Sequence, residues 1–118
     1  MSNIEQTLSI IKPDAVERNL ESEIKEMFRN QGFKILKEKK IQIEKSEAEK
    51  FYKVHETKPF YNDLCDYLSS GPIVVMVLQK ENAVKGNREL MGATNPKDAE
   101  DGTIRKKYGI SIDKNSVH

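Results

Sequence analysis

Apolar residues along the chain fall in short blocks whose spacing alternates between the strand and helix periods. Thr7–Ile11 is short, β-rich and closed by Lys12-Pro13-Asp14. Proline lacks an amide donor and disfavours α geometry in the residue before it, so a strand is expected to stop there. Leu20, Ile24, Met27 and Phe28 recur at helical spacing, with Asn19 as the expected cap, Glu21 and Glu23 in the first turn and Gly32 past the end. Phe33–Ile43 reads as a second strand in which Phe33, Ile35, Ile41 and Ile43 share one parity and hence one expected face. A helix is expected to start near Ser46, with Glu49 closing a capping box, and to carry Ala48, Phe51 and Tyr52 on one side. Thr57-Lys58-Pro59 interrupts the chain before another helical pattern through Phe60, Leu64, Cys65 and Leu68, which Ser69-Ser70-Gly71-Pro72 stops. Ile73–Leu78 is apolar at both parities, the pattern of an interior strand covered on both faces. Asn82 is placed to cap a last helix carrying Ala83, Val84, Leu90 and Met91.

This order of strands and helices predicts an α+β fold, a ferredoxin-like βαββαβ plait. Its antiparallel sheet would carry helices on one face, and the last strand would be missing from the chain. From about residue 92 to 118 the periodicity is lost while turn formers and specific polar residues accumulate. A loop of that length inside a compact domain is usually functional or disordered. Residues 1–118 are expected to form a single domain, with no repeat, low-complexity tract or linker.

Charge narrows the function. The 118 residues include 20 basic and 19 acidic side chains, a net charge of +1, which argues against a mainly electrostatic binder of nucleic acid or membrane. An RNA-binding plait would display aromatics on its central strands, and Ile73–Leu78 has none. The opening MSNIEQTLSIIKPD lacks the basic start and long apolar run of a signal peptide, and no apolar run approaches the length of a membrane span. The lone cysteine, Cys65, excludes an intrachain disulfide. A cytoplasmic protein is expected.

With one cysteine and two distant histidines, His55 and His118, the chain offers no zinc or iron spacing. It also lacks a Walker lysine–serine pair, a dinucleotide-binding glycine fingerprint and a nucleophile elbow. Phosphate recognition wants guanidinium forks, an ammonium and hydroxyl or amide donors converging on one point. Lys12 at a strand exit, Arg88 near a helix end, Thr94 and Arg105 are candidates. Each also has a plain interpretation, as a turn lysine or a solvated arginine that complements a helix dipole. Phe60 after Pro59 fits a helix-start contact as well as a platform for a base. His118 is either an inert tail residue or a nucleophile, since a neutral imidazole attacks well near pH 7 when its second nitrogen is held.

The segments IIKPDAVERN (residues 10–19), NRELMGATNP (87–96), DGTIRKKYG (101–109) and NSVH (115–118) resemble nucleoside diphosphate kinase, and the likeness runs from about Thr7 to His118. The resemblance implies ping-pong transfer of the γ-phosphate of ATP or another nucleoside triphosphate to a nucleoside diphosphate, through a phosphohistidine at His118. It implies Lys12 and Tyr52 beside that histidine, and Lys12, Arg88, Thr94, Arg105 and Asn115 around the phosphates and ribose. Phe60 would stack on the base with Leu64 and Ile112 as apolar neighbours, so that a stack without base-edge hydrogen bonds tolerates any base. Mg²⁺ would be held through the nucleotide phosphates, and the assembly would be a hexamer or tetramer. A non-catalytic or impaired nucleotide-binding fragment of the same family is the alternative. The family usually continues past the histidine with HGSDS, a short helix bearing an orienting glutamate, and the last strand; the chain has none of these. It is therefore expected to be a partial member, poorly active if it truly ends there. Ser22 stands where glycine is common, a mild change in a first helical turn. Asp101 stands where proline is common, which frees the loop and is expected to weaken subunit contacts.

Overall fold

In the computed structural model, which describes residues 3–111 and 114–118, strands β1 (Ile4–Ile11), β2 (Lys34–Ile41) and β3 (Ile73–Glu81) form an antiparallel sheet. Its order is β1-β3-β2, so the most apolar strand lies in the middle. Six helices surround it: α1 (Pro13–Glu17), α2 (Glu21–Asn30), α3 (Lys45–Phe51), α4 (Tyr61–Leu68), α5 (Ala83–Met91) and α6 (Ile104–Tyr108). On one face, Ile11, Val74, Met76 and Leu78 pack against Ile24 and Phe28 of α2, Ala83 and Met91 of α5 and Ile104 of α6. On the other, Ile10, Ile73 and Val75 meet Ala48 of α3, Tyr52 and Cys65 and Leu68 of α4. The α+β plait expected from the sequence is the architecture observed. Beyond its main helix layer, the α3–α4 hairpin reaches round to the opposite face.

Several local expectations are corrected. A bulge between Ile35 and Lys37 shifts the register of β2, with Ile35 opposite Leu78 and Lys37 opposite Val77. One extra residue reverses the parity of everything after it. Ile35 therefore joins the α2–α5 core, whereas Ile41 and Ile43 join the α3–α4 core, and the four apolar residues do not share a face. Asn19 does not cap α2. Pro13 opens α1 directly after the strand, and Asn19 takes a positive φ of 58° in the turn that follows. α3 starts ahead of Ser46: the Glu47 carboxylate accepts from the Glu44 N–H at 3.2 Å. Asn82 precedes α5 as expected, but in a left-handed conformation with φ 56°; Glu5 accepts the Val84 N–H instead. The stretch from Gly92 is not structureless, since it holds a 3₁₀ turn at Pro96–Asp98 and α6.

Residues 116–118 lie along the free edge of β1. Ile10 and His118 exchange both backbone hydrogen bonds, at 2.9 and 2.8 Å, and the Lys12 N–H donates to the Ser116 carbonyl at 2.8 Å. Asp14, buried at the start of α1, accepts from the Tyr67 hydroxyl of α4 and, more loosely, from the Ser116 hydroxyl at 3.4 Å. Its own N–H donates to the Tyr67 oxygen at 2.9 Å. Asp14 thus joins α1, α4 and the terminal segment. Replacing Tyr67→Phe removes both bonds while keeping the ring. It is expected to lower stability by about 1–3 kcal/mol, the range for stranding a buried polar group. Urea unfolding with an unchanged slope and a lower midpoint checks this; an unchanged midpoint contradicts it.

Candidate active site

Lys12 is where β1 gives way to α1 at Pro13, and it is buried there. Its ammonium donates to Oδ1 of buried Asn115 at 2.9 Å, and Nδ2 of Asn115 donates to the Thr94 carbonyl at 3.1 Å. Arg105 projects from α6, a short helix whose N-cap hydroxyl, Thr103 Oγ1, accepts from the Lys106 N–H at 3.3 Å. Its guanidinium donates to the Gly92 carbonyl at 3.0 Å and the Val117 carbonyl at 2.9 Å. Nε of Arg105 is buried with no hydrogen-bond partner among the described residues. Arg105 therefore brackets two backbone segments and keeps further N–H donors.

Two backbone positions make this convergence possible. Gly92 has a φ of +85°, and a Cβ there would sit 2.6 Å from Thr103 Oγ1. Only glycine allows the end of α5 to touch the cap of α6 so closely. Ser116 is buried with a φ of +75°, and the Val117 N–H bonds the Asn115 carbonyl at 2.9 Å. That is the strained form of the γ-turn, of a kind that collects at functional sites.

The His118 ring lies against the edges of Phe51 and Tyr52, with centroids 4.9 and 5.7 Å away. Burial, then the charges of Lys12, Arg105 and His55, push its pKa down to about 4. The imidazole is neutral near pH 7, and a neutral ring nitrogen is the form that attacks. The Tyr52 hydroxyl is buried without a hydrogen-bond partner among the described residues, and its pKa is pushed up to about 12, chiefly by burial. A cationic, partly dry group with a neutral imidazole at its centre suits an incoming polyanion.

Of the residues singled out from sequence, Lys12, Tyr52, Arg105, Asn115 and His118 come together, and Thr94 joins them through its carbonyl. Leu64 packs half-buried with Tyr52 and Cys65. Phe60 is 45% exposed and touches His55, whose ring in turn approaches Tyr52. Arg88 stands apart, exposed on the last turn of α5 beside an open cavity of about 460 Å³ that Gly92, Ala93 and Thr103 also line. Among the described residues its guanidinium makes no hydrogen bond or ion pair, although its carbonyl accepts from the Gly92 N–H at 3.0 Å. Ile112 lies outside the described residues. Sequence reasoning had Phe51 as a helix-face residue only, and missed the Gly92 and Val117 carbonyls and the strained Ser116. Adjacency to Tyr52 was the available signal for Phe51; nothing in spacing or composition marks the others.

A model of the family described as nucleoside diphosphate kinase matches residues 5–118. The chain belongs to the nucleoside diphosphate kinase family. Its activity is accordingly transfer of phosphate from a nucleoside triphosphate to a nucleoside diphosphate, and it binds nucleotides. It is 57% identical over 115 residues to the nucleoside diphosphate kinase of Geobacter sulfurreducens, a match that covers 98% of this chain and 84% of the relative. It is likewise 57% identical over 115 residues to that of Nitratiruptor sp., with the same coverage. Among solved structures, the Aquifex aeolicus nucleoside diphosphate kinase superposes with a TM-score of 0.95 at 37% identity, covering 98% of this chain and 84% of that one. A halophilic nucleoside diphosphate kinase from Halobacterium salinarum in complex with CDP gives 0.94 at 38% identity, covering 97% and 75%.

Two outcomes follow from this geometry. Gly92→Ala is expected to cost at least about 1 kcal/mol in thermal or urea unfolding, because the new Cβ meets both positive φ and the Thr103 side chain. Phosphate transfer should fall with it as Arg105 loses its bracket; wild-type stability would contradict this. For His118, the folded pKa of about 4 lies below the ordinary 6.5. The unfolded chain therefore takes up the proton first, and this residue's contribution to stability is complete above about pH 6.5 and is lost as pH falls towards 4. Titration of its ring nitrogens by nuclear magnetic resonance should show a midpoint well below 6; a midpoint at 6.5 contradicts the burial account.

Proposed function

We propose that His118 carries the phosphoryl group between the two nucleotides. A ring nitrogen of His118 forms a bond to the γ-phosphorus of a nucleoside triphosphate as the bridging β–γ oxygen leaves with the first diphosphate. The terminal oxygen of a second diphosphate then reverses the step. The observation that carries this is a neutral imidazole held beside the cationic side chains of Lys12 and Arg105. Charge spread over a transferring phosphoryl group is stabilised by donors fixed in place before the reaction.

Lys12 and Asn115 would serve the ribose and phosphates, and the remaining donors of Arg105, the Thr94 hydroxyl and Arg88 from the rim would complete the clamp. The unpartnered Tyr52 hydroxyl is a further donor beside His118. Phe60, exposed at the mouth, would form one wall of the base slot, with Leu64 and Ile112 as apolar neighbours. Ammonium, guanidinium and amide groups suit phosphate oxygens rather than a metal, and the described residues hold no cluster of three or more His, Cys, Asp or Glu side chains able to take one. Mg²⁺ bound to the nucleotide phosphates would neutralise part of their charge. Assembly as a hexamer or tetramer goes with the exposed apolar side chains Leu8 and Ile110. Residence in the cytoplasm is part of the same proposal; among the described residues no helix is long and apolar enough to cross a membrane. The alternative of a non-catalytic fragment is not favoured, since relatives matched over nearly all of the chain carry the kinase name.

The test is incubation with γ-labelled ATP and Mg²⁺. Acid-labile, base-stable label is expected on His118, absent in His118→Asn, and formed about a hundredfold more slowly in Lys12→Gln, the usual scale for one oriented donor. Label elsewhere, or none on the wild type, overturns the assignment.

A further inference from the structure

The aromatic side chains around the site form one continuous series, and His55 holds a distinctive place in it. Phe51 and Tyr52 both contact the His118 ring, and they contact each other at 5.0 Å between centroids. His55 continues the series outward, 6.3 Å from Tyr52 and 5.8 Å from Phe60, tilted by 43° and 53°. Among the described residues no other ring touches Phe60. The backbone supports the same geometry. His55 closes the 3₁₀ turn after α3, its N–H donates to the Tyr52 carbonyl at 2.7 Å, and its carbonyl accepts from Lys58 at 2.8 Å. The Tyr61 N–H then bonds the Lys58 carbonyl at 3.1 Å as α4 begins. The imidazole is thus seated on a run of tight turns, between one ring that faces the nucleophile and another that faces solvent.

We propose that His55 is a positioning residue for nucleotide binding: its ring, wedged between Tyr52 and Phe60, sets where the base platform stands relative to His118. This rests on Phe60 being a wall of the base slot. Transfer requires the base slot and the nucleophile to be a fixed distance apart, because the nucleotide spans both, and misplacement of even about 1 Å at the reacting centre can cost a hundredfold in rate. An aromatic ring at the N-terminus of α4 that is nearly half exposed has few contacts of its own to hold it. Stacking of a base on a ring is strong only when the ring's plane is already set, since ordering it on binding subtracts from affinity. His55 supplies that order from within the fold. The tilted ring contact, rather than a charge, is the working feature, so a phenyl ring should replace it.

Calorimetric binding of ADP, GDP and CDP to the wild type, His55→Ala, His55→Phe, Phe60→Ala and the double variant His55→Ala/Phe60→Ala tests this. His55→Ala is expected to weaken all three diphosphates alike, by about fivefold, at the low end of what a base stack is worth. His55→Phe should bind within about twofold of the wild type. In the Phe60→Ala background, His55→Ala should have no further effect, since residues that act through one another are not additive. Inorganic triphosphate, which has no base, should bind His55→Ala as well as it binds the wild type. An unchanged affinity in His55→Ala, an equal loss in the Phe60→Ala background, a failure of His55→Phe to restore binding, or a loss that extends to inorganic triphosphate overturns the proposal while leaving Phe60 in its role. An unchanged affinity in Phe60→Ala itself overturns the base-wall assignment, and the role of His55 with it.

Discussion

Everything about the site depends on residues 116–118 pairing with the exit of β1. The two hydrogen bonds between Ile10 and His118, and the bond from Lys12 to Ser116, lock a segment without periodicity onto the most regular part of the fold. The imidazole and the Lys12 ammonium are 106 positions apart by number but within electrostatic reach of one another, because that pairing sets His118 opposite Ile10, two residues before Lys12. Val117, wholly buried against the sheet core, holds the segment down from the other side of its backbone. A short bridge to β1 thereby fixes His118 with the precision of a sheet rather than that of a loop.

The same pairing explains the electrostatics. Lys12 and Arg105 are buried cations, and a buried cation is costly unless its donors are satisfied. Both donate to groups of the irregular segments, Lys12 to Asn115 and Arg105 to the Gly92 and Val117 carbonyls, so the positive groups also hold together the loops that surround them. Among the described residues no carboxylate is hydrogen-bonded to Arg105. The charges of Lys12 and Arg105, after burial, hold the His118 pKa down, so its ring is neutral near pH 7. The strain at Ser116 persists because Lys12, Asp14 and the Ile10–His118 pairing fix the backbone on both sides.

The α3–α4 hairpin has a double role. Its inner residues, Ala48, Cys65 and Leu68, complete the core on the second face of the sheet, while the rings of Phe51, Tyr52, His55 and Phe60 run outward from His118. The Tyr67–Asp14 contact anchors the far end of that hairpin to α1. The core packing and the ring series around His118 are therefore carried by the same pair of helices.

Sequence alone determined the sheet order's raw material: three apolar strands, the double-sided character of Ile73–Leu78 and the helices between them, because periodicity records which faces are buried. Through four motif segments it also identified the family, and it marked Lys12, Arg105 and Asn115, which the fold brings together near His118. It did not disclose the β2 bulge, since a single inserted residue leaves the composition unchanged while reversing the face of Ile41 and Ile43. Nor did it disclose which residues supply caps, because Glu5 and Glu47 reach their N–H groups through tertiary and local geometry that spacing does not encode. The convergence of Arg105, Gly92 and Val117 was decided by tertiary structure alone: backbone carbonyls carry no side-chain signature, so their role appears only once the chain brings them together.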